Sequence, residues 1–114
     1  MIGNYIIKNA HEYKINKVIA LPNDRIESCS NDKAIKIWRS NPPYSDIPIR
    51  VLEERIENIT SLLYIKERDI MISAYFNNTL SRWNMSTYQF EIEGVRCCLN
   101  SLYQIDKDRV IVGG

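Results

Sequence analysis

A single histidine, three cysteines without a Cys-x-x-Cys pair, and only four glycines mark this 114-residue sequence by what it is short of. One His and an adjacent pair, Cys97 and Cys98, do not supply the spaced nitrogen and sulfur ligands of a zinc site, so no metal and no cofactor is expected. The odd cysteine count argues against a disulfide framework and for buried, reduced thiols. No Gly-x-Ser-x-Gly elbow occurs, which removes one common way of presenting a nucleophilic serine. Neither charge sign dominates: 15 basic against 14 acidic residues leave +1, which excludes the basic stripe that nucleic acid or an anionic membrane surface calls for. No run approaches the roughly 18 consecutive apolar residues of a membrane helix. Residues 1–20 lack the charged head, apolar stretch and small-residue cleavage site of a secretory signal, so an intracellular, cytoplasmic location is expected.

What is present is enough hydrophobic material, 45 % of residues, to build a core, and that material is arranged in a repeat. Three segments superpose: Ile15 to Ser28, Ile59 to Ile72 and Leu99 to Val112. Their starts lie 44 and then 40 residues apart, close to the ~40–45-residue period of four-stranded propeller blades. Each copy has an aliphatic, β-branched run, a polar turn (Pro22-Asn23-Asp24, Lys66 to Asp69, Asp106-Lys107-Asp108) and a second such run, a pattern of strands and not of helices. First runs such as Val18 to Leu21 and Leu62 to Ile65 are apolar without alternation, as in strands covered on both faces by neighbouring blades.

After the second run, copies one and two continue into strands ending in tryptophan, Ala34 to Trp38 and Thr79 to Trp83, and then into fourth strands over 49–53 and 87–92. The Pro-rich stretch Ser40 to Asp46 reads as a long turn between strands. Residues 4–8 read as the outer strand of a preceding blade. The organisation is therefore repeats over about 10–53, 54–93 and 94–114, the last truncated.

Residues 28–38, Ser-Cys-Ser-Asn-Asp-Lys-Ala-Ile-Lys-Ile-Trp, closely resemble the signature of the WD40-repeat family, and Ala10-His11 stands where that family has Gly-His. The resemblance implies an all-β fold of four-stranded antiparallel propeller blades. With two full repeats and parts of two more, an incomplete arc is expected here and not a closed ring. It also implies that His11, Ser28, Asp32 and Trp38 form a structural tetrad. Their chemistry permits it: an indole only donates, a carboxylate only accepts, and a hydroxyl and a neutral imidazole can do both. Copy two keeps Trp83 and has Asn77 in the aspartate place, after an insertion at Tyr75-Phe76. Arg55 and Ile72 stand where the imidazole and hydroxyl belong, so no second network is expected. Copy three has Val112 in the serine place.

Ser28, His11 and Asp32 are also the residue types of a catalytic triad. With no elbow and no evident oxyanion loop, and with Trp38 at tetrad spacing, a structural role is expected and the chain is read as non-catalytic. Lys33, Lys36, Arg39 and Arg50 are interleaved with acidic and apolar residues and read as a solvated face. In WD40-like propellers the usual docking face is built by loops entering the first strand and leaving the second, which directs attention to Tyr13, Asn31, Arg55, Tyr75, Phe76 and Arg96. For Tyr75 and Phe76 two readings stay open: one of them plugs the channel or covers a blade edge, or they anchor a partner. The function this implies is a protein-interaction scaffold, with a targeting module of a larger enzyme, a kinase or ubiquitin ligase, as the alternative. The remaining blades would come from the rest of a longer chain or from self-association.

Overall fold

A computed structural model describes residues 6–7, 9–53, 57–95 and 101–113 of the chain. Among them are ten strands in three antiparallel sheets, and every sheet is a meander in which sequence neighbours pair. The first sheet holds β1 (Ile15–Leu21), β2 (Arg25–Ser30), β3 (Ala34–Arg39) and β4 (Arg50–Glu53) in that spatial order. The second repeats it with β5 (Ile59–Ile65), β6 (Ile70–Tyr75), β7 (Thr79–Asn84) and β8 (Phe90–Gly94). The third is the hairpin of β9 (Ser101–Asp106) and β10 (Arg109–Gly113).

Turn chemistry sets where the strands reverse. The β1–β2 turn places Asn23 and Asp24 at φ 64° and 56°, and the β5–β6 turn places Asp69 at 52°. Asn and Asp enter this left-handed region at less cost than most residues because their short side chains bond locally. The register shifts by one between Ile15 and Lys17 and again between Ile59 and Ser61, so β1 and β5 carry the same bulge. That bulge aims the Asn16 amide across to the second sheet, where it donates to the Ile59 carbonyl at 2.7 Å.

The three sheets stack through their inner strands, β1 against β5 and β5 against β9. Between the first and second lies a core of Leu21, Cys29, Ile35, Ile37 and Leu52 from one side and Ile59, Leu62, Met71, Tyr75, Trp83 and Met85 from the other. Phe90 closes it at the outer strand by stacking on Trp83 with ring centroids 4.7 Å apart. Between the second and third lie Ile65, Ile72, Ala74, Leu80 and Leu102. Each sheet is thus apolar on two faces, which is why a strand such as β5 has no alternation.

Four details depart from the sequence reading. The fourth strand of copy two starts at Phe90 and not at residue 87, because Tyr88 at φ 61° and a Tyr88 N–H bond to the Asn84 carbonyl close a turn there. The extra residue of copy two lies in the β5–β6 turn and not at Tyr75-Phe76. The β1 strand is covered on one face alone, leaving Ile15 and Val18 exposed. Of the outer strand expected over 4–8, only Ile6 and Ile7 belong to the described residues, and neither is in a strand.

Candidate functional site

The loop before β1 and the turn after β2 are joined by a chain of four side chains. Trp38 Nε1 donates to Ser28 Oγ at 2.9 Å. Ser28 Oγ lies 2.7 Å from His11 Nε2, and His11 Nδ1 lies 2.9 Å from Asp32 Oδ2. Because the carboxylate accepts, Nδ1 carries the proton, Nε2 accepts from the serine hydroxyl, and the serine oxygen accepts from the indole. Asp32 accepts further from the backbone N–H groups of Glu12 and Ala34, at 3.1 and 3.0 Å, which fastens the turn as well as the ring. His11, Ser28 and Trp38 are buried.

The electrostatics follow from this burial. Desolvation lowers the His11 pKa below 6.5 despite the bond and charge of Asp32, which act the other way. Asp32 is pushed up by desolvation, but the bonds from His11, Ala34 and Glu12 outweigh it and hold the carboxyl below 3.8. The order Ser–His–Asp is that of a nucleophilic triad, yet here the Ser28 oxygen is occupied by an indole N–H and every member satisfies another. The nearby Cys29 thiol is buried and pushed up to about 12, first by burial and then by Glu27, so it is no thiolate nucleophile.

Copy two builds a different network. Trp83 Nε1 donates to Ser73 Oγ at 3.0 Å, and the Ser73 and Ser81 hydroxyls lie 3.1 and 3.0 Å from the Tyr75 hydroxyl. The expectation of no network here is corrected: with the extra residue moved to the β5–β6 turn, Ser73 and not Ile72 takes the serine place. Tyr75, at 1 % exposure, fills the interior and cannot be a surface contact. Strand alternation is the reason, since a residue pointing into the core is followed by one pointing out. Asn77 is exposed, and its side chain accepts from the Thr79 hydroxyl.

That alternation puts Phe76 outside, at 69 % exposure, with its N–H bonded to the Asn58 carbonyl at 2.9 Å. Asn31 holds the equivalent place in the first sheet, its N–H bonded to the Lys14 carbonyl at 3.1 Å. The Asn31 side chain is engaged by Asn16, which donates to its Oδ1 at 2.8 Å. Tyr13 is 65 % exposed, and its carbonyl accepts from Ser30 Oγ at 3.2 Å. Tyr13, Asn31 and Phe76 therefore share one rim, the end where β1 and β5 begin and β2 and β6 finish. Arg55, Arg96, Cys97 and Cys98 lie outside the described residues.

Solved propellers share the fold. The WD40 domain of Toxoplasma gondii coronin superposes with a TM-score of 0.74 at 18 % identity, over 90 % of this chain and 29 % of that one. The WD40 β-propeller domain of Doa1 superposes with a TM-score of 0.78 at 16 % identity, over 90 % of this chain and 34 % of its own. The fold is an open arc of WD40 β-propeller. No family model matches the sequence. The nuclear distribution protein nudF of Aspergillus flavus is 29 % identical over 68 residues, and that of Aspergillus niger 32 % over 63, covering 58 % and 54 % of this chain. The chain spans 14 % of the length of either relative.

Within this WD40 arc three side chains were not singled out from the sequence. Ser73 and Ser81 are hidden by the extra residue of the β5–β6 turn, which shifts their correspondence to the first copy by one. The ten-residue spacing from Ser28 to Trp38, repeated from Ser73 to Trp83, was the signal that would have found the first of them. Glu27 escaped because a charged residue in mid-strand reads as solvated. It is fully buried on β2, on the side facing the second blade, and neither carboxylate oxygen has a hydrogen-bond partner. Burial raises its pKa to about 8, with Arg25 acting against the shift.

Proposed function

We propose that this WD40 arc is a non-catalytic protein-interaction module that holds a partner on the rim of Tyr13, Asn31 and Phe76. The observation that carries the reading is the exposure of two aromatic rings, Phe76 and Tyr13, on turns whose backbone is tied down. An aromatic side chain on a rigid support loses little entropy on binding and offers a large apolar contact, the usual make-up of an interface anchor. The tetrad supports this role indirectly, since His11 and Asp32 fix the turns from which the rim projects. The match to nuclear distribution proteins covers too little of their length to carry their role over.

Affinity capture with the intact chain tests the proposal. Proteins retained by the wild type are expected to be lost from Phe76→Ala and Tyr13→Ala, and kept by Asn23→Ala at the opposite end of the blade. Retention that ignores both rim substitutions would refute the rim as the binding surface.

A further inference from the structure

Among the described residues, one carboxyl is buried where the first and second blades meet. It belongs to Glu27 on β2, which lies between β1 and β3 and pairs with Ile19 on one side and Ile37 on the other. The side chain faces the second blade, is fully buried, and accepts no hydrogen bond at either oxygen. The same position in the second and third blades is Ile72 and Ile111. In such surroundings a bare carboxylate is far more costly than a neutral carboxyl, so the closed contact holds the protonated form.

The charged and titratable groups on the two facing sheets are engaged elsewhere or too weak to hold the charge. On the first sheet Lys17, Arg25, Cys29, Arg39 and Arg50 share the Glu27 face. Of these Arg25 favours the ionised carboxyl, but burial outweighs it and raises the pKa to about 8. Arg39 donates to the Asn41 and Pro42 carbonyls, Arg50 lies 4.1 Å over the Tyr88 ring, and the Cys29 thiol is directed at the Ile59 carbonyl. The second sheet offers phenols already in use: Tyr64 on Asp69, Tyr75 on Ser73 and Ser81, and Tyr88 beneath Arg50.

We propose that Glu27 makes the contact between the first and second blades a proton-controlled joint: with its carboxyl protonated the sheets stay closed, and loss of that proton parts them while each sheet keeps its strands. The topology sets this route to water. β2 is hydrogen-bonded along both edges, so it cannot fray outward, and the second sheet covers the face on which Glu27 lies. Apart from the Asn16 bond to the Ile59 carbonyl and Arg50 on Tyr88, the contact is carried by apolar packing, which can part as a unit. The closed joint binds a proton that the parted one releases near the ordinary 4.5. The parted form therefore gains about tenfold per pH unit as the pH rises from 4.5 toward 8, and gains no more above it. Cys29, fully buried two residues along the same face, is uncovered with Glu27 and reports the opening.

Labelling of Cys29 with iodoacetamide in the full chain tests this. Mass analysis of the Cys29 peptide reads the rate separately from Cys97 and Cys98. Dividing by the rate in the urea-unfolded chain at the same pH removes the ordinary thiolate dependence. The corrected rate is expected to rise on the order of fiftyfold from pH 6 to pH 8. In Glu27→Gln, which keeps the shape without the charge, it is expected to be flat; Glu27→Ile, with the side chain of the other two blades, replaces that variant if it does not fold. A flat rate in the wild type, or a rise that persists in a folded variant, would overturn the proposal. Low urea concentrations separate a joint from whole-chain unfolding, because parting two sheets exposes less surface. Labelling is expected to depend weakly on urea and to run faster than global unfolding allows. Labelling that tracks global unfolding at each pH would mean that the chain opens as a whole and has no joint.

Discussion

Glu27 is the residue whose surroundings conflict most with its chemistry. Its register equivalents in the other two blades are Ile72 and Ile111, so a carboxyl sits where the repeat otherwise places an aliphatic side chain. With a folded pKa of about 8 against an ordinary 4.5, the native state keeps a proton that the unfolded chain releases. The resulting stability is complete below about pH 4.5 and is lost as the pH rises to about 8. Glu27→Ile is therefore expected to be more stable than the wild type, with an advantage growing by up to about 1.4 kcal/mol per pH unit across that window. Urea unfolding of both proteins at pH 5 and pH 8 measures it; an advantage equal at the two pH values would contradict the assignment. His11 works in the opposite direction, because its lowered pKa makes acid destabilising as the pH falls below 6.5. His11→Ala removes that acid sensitivity and takes one hydrogen bond from each of Ser28 and Asp32, which keep their other partners, so a loss of ~1–3 kcal/mol in all is expected at pH 7. Tryptophan fluorescence during unfolding reads this directly, since Trp38 donates into the same network.

At the scale of the single blade, the two complete sheets reach the same geometry with different polar groups. An imidazole and a carboxylate close the network of the first blade, and a phenol with two serine hydroxyls closes that of the second. Tyr75→Phe keeps the ring in the core and deletes only the oxygen, so a loss of ~1–3 kcal/mol is expected from the buried Ser73 and Ser81 hydroxyls that lose a partner. A loss near zero in thermal unfolding would show that the serines are satisfied elsewhere. The β2–β3 turn carries strain that can be relieved: Lys33 sits at φ 67°, where only glycine is free of the Cβ penalty. Lys33→Gly is expected to be neutral to stabilising, by up to about 1 kcal/mol, with thermal unfolding as the measurement. Strand content and order were legible in the sequence because β-branched runs and polar turns alternate regularly. The identity of the second network was not, since one residue added to a hairpin turn shifts the correspondence of every later side chain.

Across the whole molecule, the described blades pack side by side, β1 on β5 and β5 on β9, so stability is built from blade interfaces as much as from blades. Leu62 stands at the centre of the first of these, nearly solvent-free between two sheets. Leu62→Ala is expected to cost roughly 2–5 kcal/mol. The accompanying loss of hydrogen-exchange protection should appear in β2 as well as β6, because one cavity loosens both blades. Protection lost from the second blade alone would mean that the blades unfold independently. By itself the sequence determined the period, the strands, the turns and the tetrad of the first blade, all of which follow from local side-chain chemistry repeated at a fixed spacing. Tertiary structure alone decided that Tyr75 faces inward and Phe76 outward, and that Glu27 lies buried between blades. The reason is physical: periodicity tells that a strand has two faces to cover, and only the stacking of sheets decides what covers each.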